Sequence, residues 1–144
     1  MANKYQAVRL ITLLSGLLLG TLVSAELVVE EGFVRKPIPG RSMSVAFMSI
    51  RNTGAEDVVI KTAAIEGAKS VEIHTHSHQN GVMRMRQLHS LEIKSGQAVS
   101  LEPGGLHLMV FGIKTLPEKP HLTLCDDAKR CFQFPLSVRD LVKR

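Results

Sequence analysis

The chain reads as an all-β domain, an antiparallel sandwich or small barrel, and three observations predict it. Short runs rich in Val, Ile, Leu, Phe and Thr recur along the sequence, several of them alternating with polar residues, as half-buried strands do. Turn-forming groups separate them: Pro37-Ile38-Pro39-Gly40, Asn52-Thr53-Gly54, Asn80-Gly81, Ser95-Gly96 and Pro103-Gly104-Gly105. After residue 26 no stretch sustains the 3.6-residue period of an amphipathic helix. About nine short strands in a chain of this length make a sandwich or a small barrel.

The first element is not part of that domain. Residues 1–25 open with Lys4 and Arg9, continue through an apolar run from Leu10 to Val23, and end Val23-Ser24-Ala25. Basic, apolar and small-residue parts in that order make a secretory signal peptide, with cleavage expected after Ala25. The apolar run is about 14 residues, short of the roughly 20 needed to cross a bilayer, so no span is expected once the signal is removed. No lipobox cysteine follows, so lipid attachment is not expected. Glu26–Arg144 then forms one domain.

Its strands are expected at Leu27–Arg35, Ser44–Arg51, Val58–Ile65, Ser70–His76, Val82–Gln87, Ala98–Leu101, His107–Ile113, His121–Cys125 and Cys131–Val138. The formal charge is +5, of which the leader supplies two. The remaining basic residues are dispersed, and no Trp or Tyr follows the leader to stack bases, so nucleic acid is not an expected partner. Cys125 and Cys131 stand in a C-x5-C arrangement near the C-terminus. In an exported protein that pairing reads as a disulfide, with a metal or redox pair as the alternative.

The chemistry lies in two clusters. In VEIHTHSHQNGVMRMRQL, His74, His76 and His78 are two apart and share one face of an extended strand, as do Met83 and Met85. Asn80-Gly81 between them is a strong two-residue hairpin signal. Such a turn sets His78 opposite Met83 and His76 opposite Met85, leaving His74 a diagonal neighbour of Met85 about 7–8 Å away at the backbone. In the second cluster His107 and Met109 share a face just after a glycine-rich turn, while Leu106, Leu108 and Val110 take the opposite parity and serve the core. Met43 and Met48 read as core methionines, and His89 and His121 as surface or hydrogen-bonded histidines.

Two histidines and two methionines on same-face spacings suggest a metal site. Thioether sulfur is a soft, neutral donor suited to Cu(I) and poorly suited to Zn²⁺, Mg²⁺ or Ca²⁺. Thiolates tend to oxidise outside the cytoplasm, where a thioether site persists. The expected ligands are therefore His74, Met85, His107 and Met109, with one Cu(I) per chain. His76 is an auxiliary candidate, and Cu(II) could use the same site.

The spacing resembles the periplasmic copper chaperone family of PCuAC type. His74 is followed after ten residues by Met85, and after twenty-one more by His107-Leu108-Met109. VEIHTH, NGVMRMR and LEPGGLHLMVFGIK resemble the family's flanking text, and the similarity runs from about Leu27 to Val138. This resemblance implies a cupredoxin-like β-sandwich that carries Cu(I) in the periplasm. It also implies delivery to the CuA centre of a copper-accepting cytochrome c oxidase subunit, beside a Sco-like thioredoxin-fold protein. Some members carry a His/Met-rich tail; this sequence ends RDLVKR, and a second site there is not expected.

Three rivals compete. A zinc-binding or storage module would use His74, His76 and His78, but leaves both methionines idle. A blue-copper electron carrier needs a Cys thiolate among its ligands, and neither cysteine has His or Met after it. A hydrolase would need a G-x-S-x-G elbow or paired carboxylates, and the sequence has neither. A non-enzymatic copper carrier is the expectation.

Overall fold

The computed structural model describes residues 27–140. The leader expected at 1–25 lies outside them, as do residues 141–144. Among the described residues all regular structure is β, in eleven strands, and no helix is long and apolar enough to cross a membrane. They are β1 (Leu27–Arg35), β2 (Met43–Asn52), β3 (Val58–Ile65), β4 (Ser70–Gln79), β5 (Val82–Leu88), β6 (Leu91–Ile93), β7 (Ala98–Leu101), β8 (His107–Phe111), β9 (His121–Asp126), β10 (Cys131–Pro135) and β11 (Ser137–Arg139).

The strands join in the order β10-β9-β3-β4-β8-β2-β1-β11, with β5 on β4, β6 on β3 and β7 on β2. Two strands carry the branching. β2 gives one edge to β1 and the other first to β8 and then to β7. β4 gives one edge to β8 and the other to β5, meeting β3 only at Val71. Strands that change partner along their length let the sheet split around one core, here Val34, Ala46, Ile50, Ile60, Leu108, Val110, Leu122 and Leu124 among others.

The all-β expectation holds, with three corrections. The sheet is mixed and not closed into a barrel: β1 and β11 run parallel, with Phe33 opposite Ser137. The run Cys131–Val138 is two strands, not one, because Leu136 turns out of the ladder and gives its N–H to Pro120 O at 2.9 Å. β8 stops before Ile113 because Gly112 takes φ +67, a left-handed value that strand geometry excludes. The short β6, paired with Val58–Ile60, escaped the sequence reading because three residues show too little alternation to detect.

Period-two alternation explains the faces. In β2, Ala46, Met48 and Ile50 point to the core, and Met43 lies an odd five positions before Met48, which puts Met43 on the other face. Met43 is 42% exposed, so its assignment to the core is corrected. Asn52 continues the inward parity and is fully buried. It survives there because Nδ2 donates to Glu56 O and Ile93 O, at 2.7 and 3.0 Å, while Oδ1 accepts from Gly54 N at 3.0 Å.

Cys125 and Cys131 are directly opposite in the β9–β10 register and form a disulfide. Buried Asp126 holds the loop they close, accepting from Arg130 N at 2.8 Å and Arg130 Nε at 2.7 Å. A small loop removes little chain entropy, so Cys125→Ala/Cys131→Ala should cost about 2 kcal/mol in a denaturant titration. The copper binding expected at His74 and His107 should be unchanged, since β3 lies between β9 and β4.

Candidate metal centre

The site is a patch of one sheet face, built across β5, β4 and β8. Asn80 and Gly81 take φ +52 and +75, positive at both central positions as a type I′ hairpin turn requires. The turn sets His76 opposite Met85, His78 opposite Met83 and His74 opposite Gln87. On its other edge β4 pairs with β8 so that His74 faces His107 and Glu72 faces Met109. One face therefore carries Glu72, His74, His76 and His78 on β4, His107 and Met109 on β8, and Met83 and Met85 on β5.

The three inner rings are close. The His74 and His107 centroids are 5.8 Å apart, and His76 stacks on His107 at 5.1 Å. His107 is 3% exposed and Met109 9%. Met85, at 57% exposed, stands at the rim, diagonal to His74 and beside His76. Met109 also lines a shallow depression of about 200 Å³ with Ile38, Met43 and Val45. His78 is exposed at the hairpin tip. His89 is exposed, and His121 lies elsewhere, 3.2 Å from Glu66.

The hydrogen bonds select the nitrogens available to a metal. His107 Nδ1 is 3.1 Å from Gly105 O. A carbonyl only accepts, so Nδ1 carries the proton and Nε2 keeps its lone pair. Burial holds the His107 pKa below its ordinary 6.5, which keeps the ring neutral and able to ligate at neutral pH. His74 Nε2 is 2.8 Å from Glu72 Oε2, which by the same reasoning fixes the proton on Nε2 and the lone pair on Nδ1. That Nδ1, and Nδ1 of His76, are buried without a hydrogen-bond partner. A buried unsatisfied nitrogen costs about 1–3 kcal/mol, a cost that a ligated metal ion removes.

Glu72 is the residue that sequence reasoning missed. A carboxylate behind a ligating imidazole orients the ring and strengthens it as a donor. The signal was present as Glu72-Ile73-His74, the same-face spacing already used for the histidines. Glu72→Ala is expected to weaken metal binding about 10- to 100-fold, measured by chelator competition; unchanged affinity would remove Glu72 from the site.

The donor set decides which metals fit. Among the described residues no group of three or more His, Cys, Asp or Glu side chains could by itself hold a metal ion. With His78 outward at the tip, the inner site reaches a fuller donor set only through Met109 and Met85. Nitrogen and thioether donors without thiolate or ligating carboxylate suit Cu(I).

Comparison with known proteins agrees with this architecture. The copper-bound PCuAC domain from PmoF2 superposes with a TM-score of 0.63 at 17% identity, covering 80% of this chain and 93% of that one. The apo PCuAC domain from PmoF1 gives 0.64 at 19%, covering 80% and 94%. The Cu(I) form of DR1885 from Deinococcus radiodurans gives 0.60 at 21%, covering 81% and 79%. These likenesses show the fold, which is cupredoxin-like. A curated relative, "Putative lipoprotein Lxx21020" of Leifsonia xyli subsp. xyli (strain CTCB07), is 33% identical over 76 residues. That match covers 52% of this chain and 46% of the relative, so the chain spans about half the relative's length. A family model described as "Putative lipoprotein LpqE-like" matches residues 27–124, and the chain belongs to that LpqE-like family.

Proposed function

We propose that this protein binds one Cu(I) ion outside the cytoplasm, on His74, Met85, His107 and Met109, and passes it to an acceptor protein. The observation that carries the reading is the unpartnered, buried Nδ1 of His74 on a strand registered directly against His107. His107 leaves its Nε2 free on the same face, and Met109 follows two residues on.

Neutral imidazole and thioether ligands hold Cu(I) without a charged anchor, so another soft ligand can displace them one at a time. The rim position of Met85 gives an acceptor a first point of attack. The work described is carriage, not turnover. His76 supplies the nearest further imidazole, and Cu(II), which favours nitrogen, would recruit it at the same site.

The solved neighbours named for copper-bound and Cu(I) forms support copper as the cargo. The lipoprotein description of the family and of its curated relative supports a place outside the cytoplasm, and the periplasm is the compartment proposed. The proposed acceptor is a cytochrome c oxidase subunit with a CuA centre, helped by a Sco-like thioredoxin-fold protein. That step rests on the resemblance in motif spacing.

An anaerobic Cu(I) titration against a competing chelator tests the reading, in wild type and in Met85→Leu/Met109→Leu. One tight equivalent in wild type, lost in the double variant, is the expected result. Tight Cu(I) binding retained without both thioethers would sink the ligand assignment. Transfer to an apo CuA domain, followed by the colour of the assembled centre, tests the acceptor.

A further inference from the structure

We infer that the tip of the β4–β5 hairpin carries a second, weaker Cu(I) site, made by His78 and Met83, through which copper enters the inner site. The inference rests on the copper reading above and deepens it.

The register is the first observation. His78 lies directly opposite Met83, and His76 directly opposite Met85, on the face that carries His74 and His107. Residues directly opposite in an antiparallel pair have Cβ atoms about 4.5–5.5 Å apart, a span that an imidazole and a thioether close around one ion. Successive same-face rungs are about 7 Å apart along the strands. The face therefore carries a ladder of donors: His78 with Met83 and His76 with Met85 across the hairpin, then His74 with His107 across to β8, and Met109 one rung further on, opposite Glu72.

Exposure is the second. Met83 and Met85 are each 57% exposed, and neither belongs to the core cluster or packs against it. An apolar side chain at a hairpin tip gains little from burial there, so packing does not explain Met83. The intervening residues obey a different rule: Arg84 and Arg86 take the opposite parity and keep their guanidinium groups off the donor face.

The ladder also grades affinity. The tip rung offers two donors in water, and the inner rung adds buried His107 and Met109. Copper thus moves toward more donors and less solvent at each step. Movement is ligand exchange: a donor of the next rung binds as one of the last rung leaves, the ion stays Cu(I), and no proton or electron is transferred. An ion held at the tip is presented to the inner site at a high effective concentration.

The test uses the full chain, anaerobic, with Cu(I) supplied as its acetonitrile complex and the methionine ε-methyl signals followed by NMR. Wild type should take a first equivalent that shifts Met109 and Met85, then a weaker second that shifts Met83. His78→Ala/Met83→Leu should keep the first equivalent and lose the second. It should also load the inner site from a Cu(I)–chelator complex about tenfold more slowly, the advantage of local capture being gone. Both positions are exposed, and an unchanged circular dichroism spectrum verifies the fold. Wild type binding one equivalent with Met83 unmoved, or the variant loading at the wild-type rate, would overturn the tip site alone. Wild type binding no Cu(I) would overturn the carrier reading and the tip site with it.

Discussion

His107→Ala is expected to lower Cu(I) affinity by more than about a hundredfold, because losing an outer-shell partner alone typically costs 10- to 100-fold and His107 is the proposed ligand at the centre of the site. Its ring lies within 6 Å of both the His74 and His76 rings, at 5.8 and 5.1 Å. The Gly105 carbonyl fixes its proton on Nδ1, so the nitrogen facing the site is the one with the lone pair. Alanine removes that donor together with its orientation. His121→Ala is the matched control: its imidazole pairs with Glu66 on the surface, and its loss should leave copper affinity within experimental error. Chelator competition decides both, and wild-type affinity in His107→Ala would eliminate the centre as drawn.

The second large effect is on stability and comes from the neighbouring residue. Leu108 is 1% exposed and points away from His107 and Met109 into the core. Leu108→Ala removes buried methylene groups and leaves a cavity, at a cost of about 2–5 kcal/mol. For a domain of this size that lowers Tm by about 10 °C or more. Copper stoichiometry should survive in the cold, where the variant is folded, since the lost atoms face away from the ligands. A fall of only a degree or two in thermal unfolding would show that the β8 core face collapses to fill the space. Loss of copper binding in the folded variant would show that the two faces of β8 are not separable.

Much of this was legible in the sequence because strands repeat every two residues. Parity alone placed His74, His76 and His78 on one face, and Leu108 and Val110 on the face opposite His107. Asn80-Gly81 fixed the hairpin register, since a two-residue turn leaves one way to pair the arms. The same parity places Met43, at an odd offset from Met48, outside the core. β6 and the break at Leu136 were missed. β6 is too short to show alternation and the break depends on a distant partner, Pro120, which no local pattern announces.

The sequence by itself determined an all-β chain, the face each chemically active side chain occupies, and the local pairing of β4 with β5. Only the tertiary structure decided that β8 lies on the other edge of β4 with His107 opposite His74, and that the sheet stays open with a parallel β1–β11 pair. Turn chemistry acts over a few residues and is written locally. Long-range pairing is chosen by burial of the whole core, so it emerges only when all the strands have packed.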